Sequence, residues 1–491
     1  MKPGPLKNMQ HQLLELEKKM LLAGKTKELQ FKNIHPSQLN AAKNLVHYLV
    51  LRNEDIRDLQ NNLHIHGLSS LASSESHIHS QLQSILQRLG KQYTAAELDN
   101  CTWQYNQQQL AEKNKLLFGE KKDTGIPFIM VTFDASFADN YALIKNLLQN
   151  GMNVARINCA HDDEGTWAKM IHHLRSACLH TGLTCKIYMD LAGPKIRTKL
   201  LNKGKDKGKV KVKEGDIVWL AEDMKGFKEG DIVISPNEPG IIKMLKKGER
   251  VFIDEGIIKG FIETTKRNKA AMRIVRISSV KQQIKEAKGI NFPDSDISIS
   301  SLTEYDKACL PFICEYADMV GYSFVRYPSD LSGLQEALKN STSKPPHIII
   351  KIETTEAVKN LPQLLLCGMQ EQAFGLMIAR GDLAVEIGFE RMGEIQEEIL
   401  WICEAAHVPV VWATQVLETL NKSGMATRSE ITDATHAAMA ECIMINKGDH
   451  TIEVIETLRD ILQRTGGHRN KKRFTFRPLS IAQSFINEEL N

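Results

Sequence analysis

Two short strings carry the strongest chemical signal in the chain: Lys351-Ile352-Glu353 and Ala379-Arg380-Gly381-Asp382. Each closes a short aliphatic run, Ile348-Ile349-Ile350 in the first and Leu376-Met377-Ile378 in the second. In a barrel of alternating strands and helices, chemistry collects at the strand C-termini. One carboxylate from each strand end, Glu353 and Asp382, would seat a magnesium or manganese ion. Magnesium takes hard oxygen ligands, commonly one or two carboxylates plus substrate oxygens. The Lys351 ammonium, two residues before Glu353, would meet an anion beside that ion.

Other runs offer complementary groups. Asn153-Val154-Ala155-Arg156-Ile157-Asn158-Cys159-Ala160-His161 would put Arg156 at the barrel mouth. A guanidinium there can hold a phosphate bidentately, or serve as a salt-bridged arginine of the barrel wall. Asp190-Leu191-Ala192-Gly193-Pro194-Lys195-Ile196-Arg197-Thr198 adds a carboxylate, an ammonium and a second guanidinium, and Ala413-Thr414-Gln415 adds a hydroxyl. Cations and carboxylates in this mixture fit a phosphorylated acid held by magnesium. Phosphoryl transfer needs little beyond such positioning and charge neutralisation.

These groups need strands to carry them. Eight runs read as strands: Phe128–Thr132, Asn153–Asn158, Lys186–Leu191, Asp318–Phe324, His347–Glu353, Phe374–Arg380, Pro409–Thr414 and Cys442–Asn446. Amphipathic stretches such as Tyr141–Asn150 and Thr166–His180 lie between them, which predicts a (β/α)8 barrel. The connection between Leu191 and Ser301 is too long for one helix. Its alternating runs, Lys209–Lys213, Asp216–Leu220, Asp231–Ser235, Arg250–Ile253 and Met272–Ile277, predict a small inserted β-barrel. An insertion at the catalytic end can act as a lid. The predicted organisation is a helical region over 1–122, the barrel over 123–193 and 294–465, the lid over 194–293 and a basic tail over 466–491.

The N-terminal region reads as helical. Leu13, Leu14, Leu16, Met20 and Leu21 repeat on one face, Pro36-Ser37 opens a helix carrying Leu45, Val46, Leu49 and Val50, and Asn53 could cap another with Ile56, Leu59 and Leu63. His64, His66, His77 and His79 are spaced alternately rather than by a helical turn, and are expected to be solvated or capping rather than metal ligands. The tail residues Arg469, Lys471, Lys472 and Arg473 are expected to be solvated.

Composition excludes several classes. The 491 residues have a net charge of +4 and are 42% apolar, so nothing global argues for nucleic acid or a membrane surface. The nine cysteines include no Cys-x-x-Cys pair and read as reduced thiols in a cytoplasmic setting. No secretory signal or membrane-length apolar run is evident.

Taken together the strings resemble the pyruvate kinase family. The resemblance runs from about Pro127 to Arg464, lid included, and rests on Gly151–Asn158, Gly193-Pro194-Lys195-Ile196-Arg197-Thr198, Lys351-Ile352-Glu353, Ala379-Arg380-Gly381-Asp382-Leu383 and Ala413-Thr414-Gln415-Val416-Leu417-Glu418. It implies a magnesium-dependent transfer of phosphate between phosphoenolpyruvate and a nucleoside diphosphate. Glu353 and Asp382 would bind magnesium, Lys351 the phosphoryl group in flight and Arg156 the substrate phosphate. Thr414 and the amides of Gly381 and Asp382 would hold the substrate carboxylate. Asn158, His161, Arg197 and Lys288, the last in Lys288-Gly289-Ile290-Asn291-Phe292-Pro293, would face the nucleotide.

The chain departs from the family in four places. At the monovalent-cation site Ala160 replaces a serine, while Asn158, Asp190 and the Leu191 carbonyl remain. Lys195 stands where potassium-dependent members carry Glu, which implies potassium independence. After strand one, Phe133-Asp134 replaces Gly-Pro, and Asp134 would repel nucleotide phosphates. After strand eight, Asn446-Lys447-Gly448-Asp449 is shorter than the family's loop and lacks its enolate-protonating serine. The 27 residues after Arg464 are too few for the family's C-terminal regulatory domain, so activation through that domain is not expected. The usual tetramer contacts would be partly lost, and the N-terminal helices would replace them in any homo-oligomer. Two alternatives stand beside a phosphotransferase: a lyase or aldolase for pyruvate-like acids, and a non-catalytic protein that senses a phosphorylated ligand.

Overall fold

The computed structural model describes residues 4–121, 125–202, 204–279, 282–295, 297, 299–466, 469–471, 473–474, 478–479 and 481–483. Eight parallel strands close into a barrel: Phe128–Phe133, Val154–Asn158, Lys186–Asp190, Met319–Tyr322, His347–Ile352, Gly375–Ala379, Val410–Ala413 and Cys442–Ile445. Each pairs with its neighbours in chain order, and the first pairs with the eighth from Phe128↔Cys442 to Val131↔Ile445. These are the eight predicted strands, with ends shifted by one or two residues. We number them one to eight.

The pleat explains how one barrel holds both a core and a charged mouth. Alternate residues of a strand face the same side. Met130 precedes Thr132, Val154 precedes Arg156, Tyr188 precedes Asp190 and Ile349 precedes Lys351, each by two residues. The lower members are buried together in one apolar cluster with Met319, Met377, Val411 and Met444. The upper members are polar. Gly321 of strand four is dictated by this packing, because a Cβ there would overlap the Tyr188 hydroxyl and the Asp190 carboxylate.

The bottom of the barrel is closed by the N-terminal region. Leu117 and Phe118, at the end of helix Trp103–Phe118, are buried in the same cluster. The helices Pro5–Thr26, Leu39–Arg52, Arg57–Ile65 and Ile78–Arg88 pack on one another, and Leu39–Arg52 packs on the barrel helix Met392–Ala405. Leu13, Leu16 and Met20 face the core as predicted, but Leu21 is exposed. Asn53 caps the end of Leu39–Arg52 rather than the start of the next helix. There Asp55 accepts from the Arg57 amide. Asn44 is a buried rivet to the barrel. Its side chain donates to the carbonyls of Glu75 and Ala405, both at 2.8 Å, and accepts from the Ile78 amide at 2.9 Å. Asn44→Ala would remove all three hydrogen bonds to buried backbone groups, each worth about 0.5–1.5 kcal/mol. We expect a loss of about 3 kcal/mol in chemical denaturation.

The insert departs from the barrel between strands three and four. Its main sheet has seven strands, from Ile290–Asn291 at one edge to Thr198–Leu200 at the other. The two edges meet. The Thr198 amide donates to the Lys288 carbonyl at 2.8 Å and the Ile290 amide to Ile196 at 3.0 Å, so the sheet closes on itself. The hairpin Ile258–Lys266 with Lys269–Ile277 is longer than the predicted run.

Other predictions fare differently. His64 and His66 are exposed, but His77 and His79 are buried. Lys471 is not solvated, because its ammonium pairs with Glu441 and is mostly buried. Arg473 lies over the Trp103 ring at 5.5 Å. Lys472 and the predicted boundary at 122 lie outside the described residues. Among the described residues, no helix is long and apolar enough to cross a membrane.

Candidate active site

The strand ends bring two cations and two carboxylates into a buried cluster. Asp190 is 1% exposed and Glu353 2%. Arg156 donates to Asp190 Oδ2 through Nε at 3.1 Å and through a terminal nitrogen at 2.6 Å, and to Thr132 Oγ1 at 3.1 Å. The Lys351 ammonium lies 3.3 Å from Asp190 Oδ2 and 3.1 Å from Glu353 Oε1, and donates to Ser323 Oγ at 2.8 Å. Burial opposes charge on Asp190, but Lys351 and Arg156 outweigh it and hold its pKa below the usual carboxylate range. Burial likewise opposes charge on Lys351, and Asp190 and Glu353 together keep it protonated. Glu353 goes the other way. Burial, with Asp382 adding to it, raises its pKa against the pull of Lys351. A carboxylate in that state gains from a further cation.

Glu353 is aimed by the backbone. Its Oε2 accepts from the Phe324 amide at 2.6 Å. Phe324 has φ 55°, a rare conformation for a bulky residue. Such strain persists only where the surroundings enforce it, and it concentrates at functional sites. Gly193 supplies the room, since a Cβ on it would lie 2.8 Å from Ser323 Cβ and 2.9 Å from the Phe324 ring.

Asp382 sits in the first turn of the helix Arg380–Ile387, directly after strand six. Both of its oxygens accept from the Lys195 ammonium, at 2.8 and 2.9 Å. The sequence grouped Lys195 with Asn158, Asp190 and Leu191; Asn158 and Asp190 are register partners on strands two and three, with Leu191 next in the chain, but the Lys195 ammonium ends on Asp382. Asp190 is neutralised by Arg156 and Lys351, and the Leu191 carbonyl accepts from Ser323 Oγ at 2.7 Å. Lys195 instead crosses from the start of the insert to the carboxylate just after strand six. Its ammonium shows that this position accepts positive charge.

Thr414 Oγ1 accepts from the Gly381 amide at 2.9 Å. Thr414 and Gln415 have φ of 67° and 56°, a strained pair. Arg380 holds them, donating to the carbonyls of Ala413 and Thr414 and pairing with Asp433. Its position in the Ala379-Arg380-Gly381-Asp382 string was visible in the sequence, but its partner across the barrel was not. Ser323, Phe324 and Tyr188 were likewise missed. A hydroxyl at the end of strand four was the one available signal.

The remaining predicted residues line the rim. Partial burial, then the Lys447 and Arg197 charges, lower the His161 pKa, so three basic groups share one side of the mouth. Asn158 Oδ1 accepts from the Ala160 amide at 3.1 Å. Arg197 donates to the Ala287 carbonyl at 3.1 Å, and the Lys288 ammonium is 3.0 Å from Asp254. Both lie on the seam that closes the lid. Asp134 does not project freely: its Oδ1 accepts from the Ser136 amide at 3.0 Å and hydroxyl at 2.6 Å. A cleft of about 570 Å³ there is lined by Asp134, Phe137, Lys447 and Asp449. A second, of about 720 Å³, lies between lid and barrel and includes Lys195, Asn291, Phe324, Asp382 and Glu386. Burial, with Glu356 and Asp382 nearby, pushes half-buried Glu386 up to about 7 although Asn291 donates to it.

Comparisons with known proteins cover the barrel. A family model described as "Pyruvate kinase, barrel domain" matches residues 127–454. The pyruvate kinase of Geobacillus stearothermophilus is 33% identical over 327 residues, which is 65% of this chain and 53% of that protein. That of Thermotoga maritima is 30% identical over 361 residues, covering 72% of this chain and 73% of the relative. That of Dictyostelium discoideum is 31% identical over 345 residues, covering 68% and 65%. The chain thus spans about half the length of the Geobacillus relative.

Proposed function

Because the chain belongs to the pyruvate kinase family, we propose that it transfers a phosphoryl group between phosphoenolpyruvate and a nucleoside diphosphate, giving pyruvate and the triphosphate. The observation that carries this reading is the Lys351 ammonium, buried between Asp190 and Glu353 at the barrel mouth. Arg156 lies beside it on Asp190.

Glu353 and Asp382 suit a magnesium or manganese ion. They are hard oxygen donors, and one of them already holds a cation, the Lys195 ammonium. Once bound there, the ion would neutralise charge on the substrate oxygens. The chain's own groups do the rest. Arg156 shares its guanidinium between Asp190 and the substrate phosphate. Lys351 stabilises the phosphoryl oxygens as the group moves, where charge spreads over them. Thr414 and the amides of Gly381 and Asp382 hold the substrate carboxylate at the start of a helix, where backbone N–H groups favour an anion. Asn158, His161, Arg197 and Lys288 receive the nucleotide phosphates, and the lid excludes water.

Potassium independence is part of the proposal. The Lys195 ammonium brings a fixed positive charge beside Asp382. Lys195→Glu would instead crowd a third carboxylate near Asp382 and Glu353. We expect activity in that variant to require added potassium, read as turnover against potassium concentration. Equal turnover with and without the salt would defeat the argument.

The test of the function is pyruvate release from phosphoenolpyruvate with magnesium and no added potassium, across ADP, GDP and UDP. Turnover that needs a nucleotide establishes the phosphotransferase. A second reading, a lyase or aldolase for pyruvate-like acids, draws on the carboxylates of the cleft near Asp134 and Asp449. It predicts no pyruvate from phosphoenolpyruvate and, instead, nucleotide-independent cleavage of a 4-hydroxy-2-oxo acid to pyruvate and an aldehyde. Absence of any turnover favours a ligand sensor.

A further inference from the structure

A polar cluster outside the barrel remains unexplained. Helix Leu39–Arg52 carries His47, helix Ile78–Arg88 carries His79, and Asp99 lies in the segment leading to helix Trp103–Phe118. The ligand atoms of these three side chains lie within 4.8 Å of one another, the one such group among the described residues. His79 Nδ1 is 2.8 Å from Asp99 Oδ2, and His47 Nδ1 is 4.0 Å from the same oxygen. The rings meet edge to face, with centroids 5.0 Å apart. His47 is 6% exposed and His79 4%. Nonetheless His47 Nδ1 has no hydrogen-bond partner. A buried imidazole nitrogen aimed at a carboxylate and left unpaired is costly unless something occupies the space between them.

We propose that His47, His79 and Asp99 bind one first-row transition-metal dication, with zinc the best match. Two imidazoles and one carboxylate are zinc ligands, whereas magnesium and calcium prefer oxygen throughout. Zinc–nitrogen bonds of about 2.0–2.1 Å require neighbouring donors somewhat over 3 Å apart. The observed separations bracket that spacing, so small side-chain rotations suffice. A water completes the tetrahedron.

The surroundings match a metal site's outer layer. A metal-bound histidine almost always donates its other ring N–H to a carboxylate or carbonyl. His79 Nε2 faces Glu17 Oε1 at 3.4 Å. Glu17 is itself held by the Tyr93 hydroxyl at 2.8 Å and the Lys91 ammonium at 2.7 Å. The second oxygen of Asp99 accepts from the Cys101 amide at 2.8 Å, and the Asp99 amide donates to Gln83 at 2.8 Å. Lys91 offsets Glu17, which leaves the Asp99 charge for the metal. Without metal, a protonated His79 between Asp99 and Glu17 would satisfy the carboxylates, but His47 would have no task. The metal would join two helices to the segment that enters the barrel-plugging helix, stapling the N-terminal region together.

The full chain, stripped by chelation and kept in excess magnesium to fill the barrel carboxylates, is titrated with zinc by calorimetry. One saturable equivalent is expected, with a rise in melting temperature as zinc is added. His47→Ala should weaken binding at least about 100-fold, because it removes a ligand rather than an outer partner, whose loss costs about 10–100-fold. Without metal, this variant should melt below the stripped parent, because it leaves a cavity beside His79, and added zinc should not raise its melting temperature. His47→Gln and Asp99→Asn provide the same test if the alanine variant does not fold. Cobalt in place of zinc should give the visible absorption of a four-coordinate site, lost in the variants. No saturable zinc equivalent in the parent, or equal binding by parent and variants, overturns the proposal.

Discussion

Lys351→Met should reduce pyruvate release by about 10²–10³-fold, the usual cost of removing one preorganised charge from a transition-state site. Methionine keeps the length and apolar stem of lysine but not its ammonium. If Lys351 acts on the phosphoryl group in transit, kcat falls while KM moves little. The substitution also strips a cation from the buried cluster. Asp190 keeps Arg156, but Glu353 keeps only the Phe324 amide and still faces the like charge of Asp382. Removing one member of a buried ion pair costs about 3–5 kcal/mol. We therefore expect a lower melting temperature alongside the loss of turnover, and manganese binding to the carboxylates should survive. Turnover within a few-fold of the parent would remove Lys351 from catalysis.

Asp382→Asn should raise the magnesium concentration needed for half-maximal activity by about tenfold or more, because affinity of such sites follows ligand charge. The substitution keeps an oxygen at the helix start but removes the charge that a dication needs. It also frees Lys195, whose two hydrogen bonds both end on this carboxylate. In the parent the incoming ion must share or displace that ammonium, so the requirement reflects competition as well as attraction. Activity should partly recover at high magnesium. An unchanged magnesium curve would place the metal elsewhere.

The barrel was legible because its strands are short aliphatic runs bounded by turn-forming residues, and each is buried by its neighbours. The predicted strand Lys186–Leu191 and the observed Lys186–Asp190 differ by one residue. The insert was less legible. Ile258–Lys266 carries charged and threonine residues on a half-solvated surface, so its apolar pattern is weak until the paired strand is known. Among the histidines, the reading as solvated or capping holds for exposed His64 and His66 and for His77 at the start of Ile78–Arg88, but not for His79, which is buried inside that helix. Burial of a polar side chain depends on what packs over it, and for His79 that is helix Pro5–Thr26 with its Glu17.

By itself the sequence determined the eight-stranded barrel, the place of the insert, and the identity of the groups at the strand ends. Local pattern suffices there: alternation sets which residues share a face, and strand order follows the chain. Only the tertiary structure decided which charge meets which. Lys195 faces Asp382 rather than Asp190, Arg380 holds the strained Thr414, and His47 points at Asp99. Those pairings join residues far apart in the chain. Their geometry is set by barrel closure and by the packing of the N-terminal helices against it, neither of which is encoded in the spacing of the residues themselves.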